Sequence, residues 1–305
     1  MKQLVILSGK GGTGKTSVTA AFAHLACESG ARIVLADGDV DAANLELLLR
    51  PRRLEEHAFM GGTVAVIDEE LCPGCGICEQ VCRFEAICGA GGGTYHVDPV
   101  ACEGCAACYY QCPEKAIHME PQLAGHWFRS ESRYGALFHA ELLPAQENSG
   151  RLVTIVKQQA RLLGVDTGAD TVIVDGPPGI GCPVISAVAG ADLALIVAEP
   201  TAAGIHDMER VVQMTRHFGV RTEICINKDD INPRGAERIR EFCEKNDLEL
   251  VGRIAFDEMV TRAMMLGEPI TAFDPDIGAS RSLARIWERV WHHLNGKDGS
   301  HDGRG

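Results

Sequence analysis

Long apolar runs are missing from this 305-residue sequence: nothing in it approaches the ~18 consecutive apolar residues that a membrane-spanning helix needs. After Met1-Lys2 the apolar stretch at residues 4–7 is far shorter than the core of a secretory leader, which gives the expectation of a soluble, cytoplasmic protein. Aromatic side chains are scarce at 5%, but 46% hydrophobic and 23% charged residues are ordinary for a globular chain. Intrinsic disorder and small disulfide scaffolds are thereby excluded. Basic charge is in deficit, with 29 Lys and Arg against 42 Asp and Glu and a formal net charge of −13. Such a surface repels a phosphate backbone, so no nucleic-acid partner is expected.

Cysteine, by contrast, is plentiful. Nine of the thirteen cysteines lie between residues 72 and 112, eight of them in two runs. A disulfide framework belongs to short secreted chains, so metal thiolates are the expected reading.

Strand, glycine loop, helix and strand follow one another from the start: QLVILS, GKGGTGKT, an Ala-rich stretch, then ARIVLAD. Near-continuous apolar strands of this kind predict a parallel sheet covered on both faces. The rhythm stops after about residue 53 and returns in the second half with TVIVDG, DLALIVAEP, RTEICINK and ELVGRI. The expected fold is therefore α/β, a P-loop doubly wound, mainly parallel sheet interrupted by an α+β insert. Its expected bounds are 1–55 and 122–294 for the split ATPase domain, 56–121 for the insert and 295–305 for a disordered tail. Residues 122–150 read only as a return connection. The insert holds ten acidic side chains against two basic ones, Arg83 and Lys115. It also repeats, because CPGCGICEQVCRFEAI and CEGCAACYYQCPEKAI share spacing and ending.

Gly9, Lys10, Gly11, Gly12, Thr13, Gly14, Lys15 and Thr16 spell G-x-x-x-x-G-K-T between a strand and a helix, the context that identifies a phosphate loop. Backbone N–H groups of such a loop converge on phosphate oxygens, Lys15 meets the terminal phosphates and the Thr16 hydroxyl faces Mg²⁺; Ser17 completes the expected ATP contacts. Lys10 points off the end of this cradle, where it can meet a nucleotide held by a facing subunit.

With Lys10 in place the loop resembles that of the deviant Walker A ATPases, the MinD, ParA, Mrp and nitrogenase iron protein group. The resemblance implies ATP and Mg²⁺ as ligands and an ATP-sandwiched homodimer in which Lys10 acts in trans. It also implies that Asp37-Gly38-Asp39-Val40-Asp41 is the first switch. Asp39 is the chosen residue to orient the attacking water, and Asp41 is favoured instead by the iron protein's spacing. Asp175, opening DGPPG, resembles the Mg²⁺-side acid of the second switch, and Asn227-Lys228 the adenine-recognition pair. The expected catalytic set is Lys10, Lys15 and Asp39.

C-x-x-C-x-x-C-x-x-x-C occurs twice and is the spacing of bacterial two-cluster ferredoxins, three thiolates wrapping one cluster and the fourth reaching the other. Cys72, Cys75, Cys78 and Cys112 are thus expected on one [4Fe-4S] cluster and Cys102, Cys105, Cys108 and Cys82 on the second. Zinc competes for paired C-x-x-C units, but does not need the third one. Cys182, seven residues after Asp175, resembles a bridging-cluster ligand without a clear second one. The final stripe Leu283, Ile286, Trp287, Val290, Trp291 and Leu294 serves either membrane attachment or core packing, and packing is the expected use.

The expected function is an iron–sulfur ATPase in which ATP-driven homodimerisation gates electron transfer through two [4Fe-4S] clusters to an unidentified redox partner. One alternative is an iron–sulfur carrier or assembly ATPase, which would carry a C-x-x-C in the later half; none is there. The other is a positioning ATPase of the MinD and ParA kind.

Overall fold

The computed structural model describes residues 1–144 and 149–296. Its elements are β1 (Lys2–Ser8), α1 (Lys15–Glu28), β2 (Ile33–Asp37), α2 (Leu45–Leu49), β3 (Arg52–Ile67), α3 (Ile77–Val81), β4 (Ile87–Gly91), β5 (Thr94–Val97) and α4 (Ala107–Gln111). There follow β6 (Ile117–Ser132), β7 (Gly135–Leu142), α5 (Ser149–Thr167), β8 (Thr171–Pro178), α6 (Cys182–Val188), β9 (Leu193–Ala198), α7 (Ala202–His217), β10 (Arg221–Asn227), α8 (Pro233–Lys245), β11 (Glu249–Ile254), α9 (Glu258–Met265), α10 (Ile270–Phe273) and α11 (Gly278–Asn295). Two compact units result: Met1–Glu56 with Trp127–Glu141 and Ser149–Gly305, and His57–His126 with Leu142–Asn148. The tail expected over 295–305 lies, from residue 297, outside the described residues.

The first unit is built on the apolar strands. The sheet runs β11-β10-β9-β1-β8-β2-β7-β6-β3, and every pairing from β11 across to β7 is parallel. Parallel order needs helical crossovers, and helices on both faces explain why Leu4, Val5, Ile6, Leu35, Ile173 and Leu195 are wholly buried. The doubly wound α/β sheet read from the sequence is present. The loops that carry the candidate nucleotide-site residues leave the carboxyl edge of this sheet: the glycine loop after β1, Asp37 ending β2, Asp175 in β8 and Asn227 ending β10, with Glu199 after β9 on the same edge. That edge is where open α/β sheets bind ligands.

Residues 122–144 are more ordered than a return connection. They complete β6 and form β7, a hairpin through Arg133-Tyr134 whose Gly135 has φ +138°. A Cβ there would lie 2.7 Å from the Ile33 carbonyl oxygen. The hairpin buries polar side chains, which hid it from an apolar-strand search: Ser130 Oγ and His139 Nε2 are 2.9 Å apart and both residues are 1% exposed.

Burial, with the Arg53 charge nearby, lowers the His139 pKa to about 4, and its Nδ1 makes no hydrogen bond although the Glu46 carboxylate lies 3.3 Å away. The folded chain thus refuses a proton that the unfolded chain accepts near pH 6.5. The contribution of His139 to stability is full above pH 6.5 and is lost as the pH drops from 6.5 towards 4, by up to about 3 kcal/mol. Urea unfolding of wild type and His139→Gln at pH 7.5 and 4.5 isolates it: the variant is expected to lose less stability, or gain more, between the two pH values than wild type.

In α11 the apolar stripe packs on the core. Leu283, Ile286, Trp287, Val290 and Leu294 are buried, Trp291 packs against the same cluster, and the Trp287 ring lies 5.0 Å from Phe22 of α1. Among the described residues no helix is long and apolar enough to cross a membrane.

The second unit shows the internal repeat. Asp68 N–H donates to the Ala116 carbonyl at 2.8 Å and Asp98 N–H to the Ala86 carbonyl at 2.7 Å. Gly74 and Gly104 both have positive φ, and a Cβ would meet the Gly93 carbonyl oxygen at 1.8 Å in one and that of Thr63 at 2.3 Å in the other. Cys72, Cys75, Cys78 and Cys112 line one small cavity and Cys82, Cys102, Cys105 and Cys108 another, each of about 20 Å³, the room of about one water.

The expectation of a ferredoxin-like insert with two [4Fe-4S] clusters is corrected by this geometry. Among the described residues no group of three or more His, Cys, Asp or Glu is placed to hold a metal ion. Cys78 and Cys108 are instead buried in a core with Ala65, Ile87 and Ile117, against which Cys72's neighbours in the pattern, Cys82, Cys102 and Cys112, also pack. Burial pushes the thiols of Cys78 and Cys108 up, towards the protonated form that packs as a small hydrophobe. Cys75 and Cys105 are exposed. The two clusters, the redox partner and the electron-transfer function built on them fall with that expectation.

Candidate functional site

At the carboxyl edge of the sheet the glycine loop turns β1 into α1. Gly14 caps the helix in the left-handed region with φ +92°, where a side chain would be strained and a Cβ would lie 2.3 Å from Asn227 Nδ2. Gly9 is as confined, its notional Cβ falling 2.2 Å from Asp207 Cβ. No side chain caps α1, so its first N–H groups and positive dipole end are left for an anion.

A cavity of about 790 Å³ opens there, lined by residues 11–17, Asp39, Asp41, Asn227 and Lys228, with an apolar wall from Leu47, Val260 and Met264. Thr13 is 2% exposed and its hydroxyl is buried without a hydrogen-bond partner, a polar group that a phosphate oxygen would satisfy. Ser17 Oγ lies 3.3 Å from Met264 Sδ across the cavity.

Beneath the loop lies a buried polar cluster centred on Asp175. Its carboxylate takes the Lys15 ammonium at 2.9 Å, the Thr16 hydroxyl at 2.7 Å and the Thr19 hydroxyl at 2.8 Å. Burial opposes the charge on Lys15, but Asp175, Asp37 and Asp39 outweigh it and hold the ammonium above its usual range. Asp37 accepts from the N–H groups of Asp39 at 3.0 Å and Leu45 at 3.1 Å. Complete burial and the nearby Asp175 push its carboxyl up to about 7, and burial also raises that of Asp39. Asp41 is exposed. The Asp175 carboxylate beside the Thr16 hydroxyl offers two hard-oxygen groups of the kind Mg²⁺ takes, the rest of its shell being water and phosphate. Thr16 and Asp175 would hold the ion with Asp37 and Asp39 behind it, and when bound it would neutralise charge on the phosphates.

The loop after β2 is joined to β8 through the backbone, Gly38 N–H donating to the Asp175 carbonyl at 2.8 Å. Asn227 has both ends of its carboxamide engaged, Nδ2 on the Thr13 carbonyl at 2.7 Å and Oδ1 on the Lys228 N–H at 3.0 Å. In this arrangement it braces the loop.

Lys10 is not among the residues that line the cavity. Its ammonium lies 2.7 Å from Glu199 Oε2 and 3.4 Å from Thr201 Oγ1. Glu199 Oε1 takes Lys228 Nζ at 2.9 Å, and that ammonium also donates to the Gly12 carbonyl at 3.2 Å. Burial works against the Glu199 charge, but the two lysines hold its carboxyl below the usual range. Sequence reasoning missed Glu199, Thr201 and Thr19. The available signal for Glu199 was its place directly after the apolar strand LALIVA, at the edge where ligands bind.

A family model described as the CobQ/CobB/MinD/ParA nucleotide binding domain matches residues 4–270. An uncharacterized protein of Methanocaldococcus jannaschii is 34% identical over 232 residues, 75% of this chain and 79% of that protein. The septum site-determining protein MinD of Bacillus subtilis is 24% identical over 299 residues, 94% of this chain and 88% of its own. Among solved structures, MinD of Pyrococcus horikoshii in complex with Mg-ADP superposes with a TM-score of 0.58 at 17% identity, over 95% of both chains. That likeness concerns the fold. With the match to most of the chain, the phosphate loop and its acid cluster, this protein belongs to the CobQ/CobB/MinD/ParA family of P-loop ATPases.

Proposed function

We propose that the protein is a positioning-type ATPase of the MinD and ParA kind, whose work is done by ATP-driven pairing of two identical subunits. The supporting observation is the place of Lys10. Lys10 does not line the cavity that would hold its own subunit's nucleotide, and its partly exposed ammonium rests on Glu199 and Thr201. A charge stationed there reaches a phosphate brought by a facing subunit.

In this reading Lys15, Thr13 and the loop N–H groups bind the phosphates, and Thr16 and Asp175 place the Mg²⁺. Asp39, at the cavity wall, orients the attacking water, with Asp41 further out. The β10 end, Asn227 and Lys228, closes the base side. ATP drives pairing only if the paired state binds it more tightly than the single subunit does.

Light scattering with a slowly hydrolysed ATP analogue and Mg²⁺ is expected to give twice the subunit mass, and with ADP the subunit mass. Equal masses with both nucleotides would remove the proposal. The same paired sample, spun with liposomes or with DNA, separates MinD-like from ParA-like attachment.

A further inference from the structure

We infer that Glu199 is a positioning residue that holds Lys10 within its own subunit and thereby sets how readily ATP-loaded subunits pair. The inference rests on the pairing reading above and adds to it the element that opposes pairing.

Glu199 stands on a fixed post. The Thr201 N–H donates to its carbonyl at 2.8 Å, and a Cβ on Gly204 would lie 2.4 Å from that same oxygen. Asn232 Nδ2 holds the next carbonyl, of Pro200, at 2.7 Å. Thr201 in turn caps α7, its hydroxyl accepting from Gly204 N–H at 3.0 Å. The carboxylate is therefore placed by the fold, whereas Lys10 reaches it on a flexible stem that is 36% exposed. Of the two, Lys10 is the one free to leave.

The second lysine makes leaving inexpensive. Each oxygen of Glu199 takes one ammonium, Oε2 from Lys10 and Oε1 from Lys228. When Lys10 departs, Glu199 keeps Lys228 and does not become an unpaired, largely buried charge, which is what makes breaking such pairs costly. Lys228 is itself held in the left-handed region, φ +57°, a conformation that costs a non-glycine residue roughly 1–2 kcal/mol. The Asn227 side chain, Glu199 and the Gly12 carbonyl all hold it there. Strain kept at a site by several bonds points to a use for the site. The arrangement is a competition for one ammonium between a fixed carboxylate in cis and a phosphate in trans.

Competition has a signature that a merely structural role lacks. Glu199→Gln weakens the cis hold on Lys10 and favours pairing. Lys228→Met leaves Glu199 with Lys10 alone, tightens that hold and disfavours pairing. If Glu199 only braced the loop, both variants would loosen the same brace and shift pairing in the same direction.

The experiment is sedimentation of the full chain over a range of protein concentrations, with the ATP analogue and Mg²⁺. Thermal unfolding of each variant confirms that it is folded. Relative to wild type, Glu199→Gln is expected to pair at about 3- to 10-fold lower concentration and Lys228→Met at about 3- to 10-fold higher, the size suited to a partly exposed ion pair. Shifts in the same direction, or no shift in Glu199→Gln, overturn the inference while leaving pairing intact. If neither wild type nor Glu199→Gln pairs, the pairing reading fails and takes this one with it. If only Glu199→Gln pairs, the cis hold is demonstrated directly.

Discussion

Replacing Lys15 by methionine is expected to reduce ATP turnover below about 1% of wild type and to cost about 3–5 kcal/mol of folding stability. The stability loss is the less obvious half. Lys15 and Asp175 are both almost completely buried, with side chains 6% and 1% exposed. Removing the ammonium leaves a carboxylate with only the hydroxyls of Thr16 and Thr19, close to the equally buried Asp37. Urea unfolding of Lys15→Met, Asp175→Asn and the double variant measures the coupling, and the double is expected to recover part of the loss. A single-variant loss below about 1 kcal/mol would show that the pair is better solvated than its burial implies.

Lys10→Ala is expected to behave oppositely, lowering steady-state ATP hydrolysis about 10³-fold, the scale of a charge supplied across an interface, at little cost in stability. ADP affinity is expected to change less than about threefold, because the Lys10 ammonium lies outside the cavity. Hydrolysis rates and ADP calorimetry on one preparation test the split. A loss of ADP affinity as large as the loss of rate would place Lys10 on its own subunit's nucleotide.

How much of this could be read in advance depends on how local each signal is. The glycine loop is a contiguous eight-residue pattern, and β8 and β9 carry the apolar runs VIV and LALIVA, so both stand out. The hairpin of β6 and β7 buries Ser130 and His139 against each other, and a buried polar pair reads as surface in a sequence. Asn227 was chosen for its place at a strand end, but its use as a brace depends on the Thr13 carbonyl, 214 positions away. Glu199 is a single acid whose one local mark is its place directly after β9, and its partner Lys10 lies far back in the chain. The cysteine spacing describes which thiols come together; it does not describe whether they are placed to ligate, and among the described residues no such metal-holding group is found.

The single hydrogen bond from Gly38 to the Asp175 carbonyl has a kinematic consequence. A displacement of one loop either carries the other with it or breaks this tie. Under the proposed reading, arrival and departure of the terminal phosphate would then be felt by both loops together, with a coupling of about the 0.5–1.5 kcal/mol that one backbone hydrogen bond contributes.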